Sequence, residues 1–108
     1  MPKRGDIVLT PFPFSDLSGQ KIRPAVILSK FNKGDDVTVV FITSKHKSTK
    51  EFVIPLAPTV LNGIKVPSMI VCDKIATLDK KIILGSIGVL ELDTQHFVDC
   101  AVTKALGL

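Results

Sequence analysis

A chain of 108 residues in which 45% of the side chains are apolar has core enough to fold alone, and residues 1–108 are expected to form one domain. That apolar content excludes disorder, while no apolar run is long enough to span a bilayer. Nothing of secretory type follows Met1-Pro2-Lys3-Arg4, so the expected location is the cytoplasm, with no membrane partner.

In chain order, the short β-branched runs Ile7–Leu9 and Ala25–Leu28 predict two strands. Pro11, Pro13, Gly19 and Pro24 lie between them, block regular pairing and predict a projecting polar loop. A third strand is expected over Asp36–Ile42 after the turn signal Asn32-Lys33-Gly34-Asp35, and a fourth over Glu51–Leu56. Asn62-Gly63-Ile64-Lys65 reads as a turn leading to a strand at Ser68–Cys72, with a further short piece at Ile75–Leu78 and a helical turn at Asp79-Lys80-Lys81. Ile87–Leu90 is the last short strand. The one helix lies at the C-terminus, with Asp93 as its N-cap and Leu92 stapled to Phe97. Phe97, Val98, Ala101, Val102 and Ala105 share its expected buried face, while Gln95, Asp99 and Lys104 fall elsewhere. The fold class is therefore mainly β with a short α component: many short strands and one closing helix indicate a small, strongly bent barrel.

Five segments, in order, resemble the PemK/MazF family of toxins from bacterial toxin–antitoxin pairs: Gly5-Asp6-Ile7-Val8, Ile22-Arg23-Pro24-Ala25-Val26, Ile42-Thr43-Ser44, Val71-Cys72-Asp73-Lys74-Ile75 and the final Ala105-Leu106-Gly107-Leu108. The resemblance implies an SH3-like barrel with a C-terminal helix and a homodimer. It also implies metal-independent endoribonuclease action on single-stranded mRNA, and control by a cognate acidic antitoxin. The chemistry implied is attack by the substrate's own 2′-hydroxyl, leaving a 2′,3′-cyclic phosphate and a 5′-hydroxyl.

Charge supports a polyanionic partner. Residues 1–50 hold nine Lys/Arg against four Asp/Glu, whereas residues 51–108 hold five against six. Neutralised phosphates release counterions and supply affinity independent of sequence. The other reading is simply a basic, solvated surface.

Arg23 is the leading candidate for chemistry. Its planar fork of donors matches a phosphate and suits the dianionic phosphorane of RNA cleavage, although a structural ion pair with Asp6 or Asp16 is an equally ordinary use of such a residue. Thr43 and Ser44 end the third strand, where hydroxyls hold either a phosphate oxygen or a turn; the resemblance places the catalytic threonine at Thr43. It also brings Asp73 into the catalytic set, next to Lys74. Some relatives carry an arginine two positions before or three after that aspartate, where this chain has Val71 and Ala76. Lys45, His46 and Lys47, with Lys50, form a basic loop suited to holding RNA backbone. Phe12 and Phe14 are the candidate stacking platforms in a chain lacking Trp and Tyr, and Asp16, Gln20 and Lys21 complete the candidate RNA-binding set in the first loop. Phe31, Phe41, Phe52 and Phe97 read as core. For the general base, Asp73, Asp16 and His46 stay open, since arginine is effectively never deprotonated.

Cys72 and Cys100 form no metal-ligand spacing with each other, and both read as reduced core residues. The scattered carboxylates and the two histidines on separate elements predict no metal and no cofactor. Two non-nuclease readings keep the same fold: an inhibitor of the kind that poisons DNA gyrase, and an RNA- or peptide-binding module.

Overall fold

The structure, a computed structural model, describes residues 2–12, 21–29, 34–44 and 51–108. Among these, strands β1 (Asp6–Pro11), β2 (Ile22–Ile27), β3 (Asp36–Thr43), β4 (Val53–Leu56), β5 (Ser68–Asp79) and β6 (Gly85–Val89) precede one α-helix, α1 (Leu92–Leu106), and a short 3-10 turn at Lys80–Ile82 joins β5 to β6. They form a six-stranded antiparallel sheet in the order β4-β5-β3-β2-β1-β6. This is the expected mainly β architecture with a C-terminal helix.

The sheet is buried on both faces, which explains why its strands read as continuous apolar runs. Successive residues point to opposite sides. Ile7, Val26, Val40, Ile42, Ile70 and Cys72 enter one cluster with Leu90 and with Val98 of α1. Their neighbours Val8, Ala25, Val39 and Phe41 enter a second cluster with Ile27, Val37 and Leu78, against which Phe12, Ala76 and Ile83 pack. Each fully buried aliphatic side chain contributes about 1.5–3 kcal/mol, so this two-sided core carries the fold.

Strand β5 breaks its register with β3 near its middle. Val40 pairs with Ile75, but its neighbour Phe41 pairs with Val71, so Cys72, Asp73 and Lys74 form a three-residue bulge in β5. The two strand pieces expected at Ser68–Cys72 and Ile75–Leu78 are therefore one bent strand. Bulges bend a strand and re-aim its side chains. β4 follows the bend: Val53 pairs with Val71, and the Phe52 carbonyl accepts the Cys72 N–H at 2.8 Å.

The helix departs from its expected start and face. Glu91 is the N-cap residue and makes no side-chain cap; its carboxylate instead accepts the Thr59 hydroxyl at 2.7 Å. Asp93 lies inside the first turn, its carboxylate receiving the Thr94 N–H. Leu92 and Phe97 are 83% and 59% exposed, so the staple does not form and Phe97 is not core. The side chain that reaches the sheet from this turn is Gln95. It donates to the Leu90 carbonyl at 2.8 Å and stands over Gly5, where an added Cβ would lie 2.4 Å from its amide nitrogen. A residue without a side chain is what admits the amide. Gly107 closes the helix in the left-handed region, at φ 74°. Cys72 is buried as expected, but Cys100 faces solvent.

Candidate active site

Register builds the site. Thr10 of β1 stands opposite Arg23 of β2, and β2 pairs with β3 through Ala25 and Phe41. Continuing that register brings Arg23 beside Thr43, the last residue of β3. Its guanidinium Nη1 donates to the Thr43 hydroxyl at 3.3 Å.

Phe12 holds the other side of the guanidinium. Its backbone N–H donates to the Lys21 carbonyl at 2.8 Å, which pins the start of the first loop to its end. The ring then packs edge-on against Phe41, centroids 5.0 Å apart at 83°. The Arg23 carbon Cζ lies 5.0 Å from the Phe12 centroid, within cation–π range. Arg23 is thus fixed from two sides while its charge stays available. Its Nε is buried and has no hydrogen-bond partner among the described residues, and the same holds for the Thr10 hydroxyl across the strand pair. Leaving a buried N–H without a partner costs stability, which marks Arg23 as a side chain held for more than packing. Asp6, the described candidate for an Arg23 ion pair, instead accepts the Lys3 N–H at 2.9 Å.

Two cavities flank Arg23. The smaller, about 30 Å³, is lined by Phe12, Arg23, Phe41, Ile42, Thr43, Val71 and Lys74. By this measure one water needs about 10–15 Å³, so the cavity has room for about two small oxygen-bearing groups. Lys74 reaches this wall from the β5 bulge. The larger, about 340 Å³, lies between Arg23, Ile22 and Pro24 on one side and Ile64, Lys65, Val66 and Ser68 on the other, with Ser44 and Ile87 completing its rim.

The sequence-derived set thus divides. Arg23, Thr43, Phe12 and Lys74 share the smaller cavity, and Ser44 lies on the larger. Asp73, exposed in the bulge beside Lys74, lines neither cavity. Lys21 is exposed and enters through its backbone carbonyl. Phe14, Asp16, Gln20, Lys45, His46 and Lys47, with Phe31 and Lys50, lie outside the described residues. Sequence reasoning missed Phe41 as a wall of the site, because its burial alone explained it. It also missed Lys65 and Ser68, which the segment between β4 and β5 and the start of β5 bring to the larger cavity. Among the described residues no group of three or more His, Cys, Asp or Glu side chains could hold a metal ion, and no helix is long and apolar enough to cross a membrane.

The architecture is shared with solved toxins. An endoribonuclease from Mycobacterial species, solved in complex with its cognate antitoxin, superposes with a TM-score of 0.81 at 23% identity, covering 100% of this chain and 97% of that one. The Mycobacterium tuberculosis toxin MazF-mt6 gives 0.78 at 24% identity over 95% of this chain and 97% of its own. MazF from Deinococcus radiodurans gives 0.79 at 21% identity over 99% and 97%. At these identities the likeness shows the fold. No curated protein matches by sequence. The family model for PemK-like, MazF-like toxins of type II toxin–antitoxin systems, however, matches residues 3–106, nearly the whole chain. With its sheet, helix and ordered motifs, the chain belongs to that toxin family.

Proposed function

We propose that this toxin is an endoribonuclease that cleaves single-stranded mRNA at the Arg23–Thr43 cavity, without a metal. The observation that carries the reading is the guanidinium held between the Phe12 ring and the Thr43 hydroxyl on the wall of a cavity shared with Lys74. A donor fixed in this way costs no reorganisation when negative charge develops on a phosphate, which is how electrostatic catalysis works. The substrate's 2′-oxygen attacks the adjacent phosphorus while the P–O5′ bond breaks. The 2′-hydroxyl proton leaves to a general base, and the departing 5′-oxygen takes up a proton. Arg23 and Lys74 stabilise the phosphorane oxygens, and Thr43 orients one of them. The larger cavity takes the flanking nucleoside, its size falling in the range of small-molecule pockets.

Asp73, Asp16 and His46 are the candidates for the base. The substrate enters along the basic first half of the chain, where Lys45, His46 and Lys47 supply backbone affinity. An acidic antitoxin segment would cover the same surface, a second copy of the chain would complete the groove, and the cytoplasm, where mRNA is, is the place of action. The solved Mycobacterial endoribonuclease, bound to its cognate antitoxin, supports this reading by analogy of fold.

The test is digestion of an unstructured RNA by the purified protein in excess chelator. Cleavage with 2′,3′-cyclic phosphate and 5′-hydroxyl ends is the expected result. Dependence on magnesium, or 5′-phosphate ends, would refute it.

A further inference from the structure

The outer face of α1 carries a pair of groups that the nuclease reading does not use. His96 and Cys100 are four residues apart, so they stand one turn above the other on the same side of the helix. Both are exposed, and His96 Nε2 lies 3.9 Å from Cys100 Sγ. The Phe97 ring is the neighbouring aromatic, centroids 6.4 Å apart and tilted by 55°.

A zinc-class ion bound by a thiolate at about 2.3 Å and an imidazole at about 2.0 Å, at a tetrahedral angle, needs those donor atoms about 3.5 Å apart. The pair is within a few tenths of an ångström of that separation before any ion arrives. A small side-chain rotation closes the difference, and the helix already fixes both Cα positions, so little ordering remains to oppose binding.

We propose that His96 and Cys100 form a bidentate site for a zinc-class divalent cation on the solvent face of α1, with water completing the coordination. The donor set selects the metal class. Thiolate and imidazole suit zinc and cobalt, whereas magnesium and calcium require oxygen ligands. On binding, the Cys100 thiol proton passes to solvent and the sulfur–metal bond replaces it. Val98 packs α1 onto the first core cluster, whereas the Phe12–Phe41 wall of the Arg23 site packs with the second. No residue of α1 lines either cavity beside Arg23, so the cation site is separate from the proposed RNA chemistry. The other thiol does not compete: Cys72 is fully buried, and burial pushes its thiol up to about 12.

Cobalt(II) titration of the whole protein tests the site, because thiolate ligation gives a charge-transfer band in the near ultraviolet. One equivalent per chain is expected to develop the band. Cys100→Ser should abolish it, and His96→Ala should weaken binding at least about tenfold, or 1.4 kcal/mol. A band that survives in Cys100→Ser, or an affinity unchanged in His96→Ala, overturns the proposal. A second measurement needs no variant. Zinc should slow alkylation of Cys100 in the unmodified protein, and an unchanged alkylation rate at saturating zinc would equally reject the site. Neither readout depends on nuclease activity.

Discussion

Arg23 donates to the Thr43 hydroxyl across the β2–β3 pair because the Ala25–Phe41 register, carried two steps further, sets the two residues side by side. The contact joins the motif Ile22-Arg23-Pro24 to the motif Ile42-Thr43-Ser44, which are unrelated in sequence position. It turns two separate candidates into one site with a shared cavity.

Removing the guanidinium tests that site directly. Arg23→Ala is expected to lower kcat for RNA cleavage about 10²–10³-fold, the cost of losing one preorganised oxyanion donor. Arg23→Lys should recover little, since a point charge lacks the planar fork that both lies on Phe12 and reaches Thr43. Circular dichroism should report native secondary structure for both. An unfolded Arg23→Ala would mean that the guanidinium serves the fold instead.

Thr43→Val keeps the shape of a buried strand end and removes its hydroxyl. A hydrogen bond to a charged group is worth about 1.5–3 kcal/mol, so turnover should fall about 10–100-fold with little change in KM. A rise in KM at constant kcat would assign Thr43 to substrate binding alone.

Phe12 acts through Arg23 by position. Phe12→Leu keeps apolar bulk against Phe41 but removes the ring face under the guanidinium. A cation–π contact is worth about 0.5–2 kcal/mol, which predicts a loss in cleavage of up to about 30-fold. In the Arg23→Ala background the same change should cost much less, and a double-mutant cycle reads the difference. Additive losses would show that Phe12 serves RNA stacking independently of Arg23.

Gly63 is a stability position. Its φ is +69°, and an added Cβ would lie 2.1 Å from the Ile87 carbonyl oxygen, a backbone atom that cannot rotate away. The turn it occupies is held by Asn62, buried, whose amide oxygen accepts the Thr59 and Ile64 N–H groups and whose NH₂ donates to Ala57. Gly63→Ala should destabilise the protein by at least about 2 kcal/mol in urea denaturation. An unchanged midpoint would contradict this packing.

Cys72 makes stability depend on alkaline pH. Burial, with the Asp73 charge adding to it, pushes its thiol up to about 12 from an ordinary 9.0. Above pH 9 the unfolded chain loses this proton while the folded one keeps it, so fewer protons are bound in the unfolded state and stability falls with rising pH. The slope is about 1.4 kcal/mol per pH unit, and the loss continues until pH reaches the folded value. The decline between pH 9 and 11 should be shallower in Cys72→Ala than in the unmodified protein, and equal slopes would refute the assignment.

The chain's own pattern determined the strands and named the candidates for the site. Runs such as Ile7–Leu9 and Ala25–Leu28 are too short and too β-branched for helix, whereas Arg23 and Thr43, each with an ordinary structural use as well, stand out through the resemblance carried by Ile22-Arg23-Pro24 and Ile42-Thr43-Ser44. What lay beyond the sequence was everything that depends on contacts between distant segments. The three-residue bulge at Cys72–Lys74 arises from pairing with β3, and it sends Lys74 to the cavity while Asp73 stays at the surface. Helical periodicity put Phe97 inside and Gln95 outside, yet Phe97 is exposed and Gln95 stands over Gly5, which has no side chain to exclude it. Local preference is written residue by residue, whereas register and the space left by a remote glycine exist only once the sheet has closed.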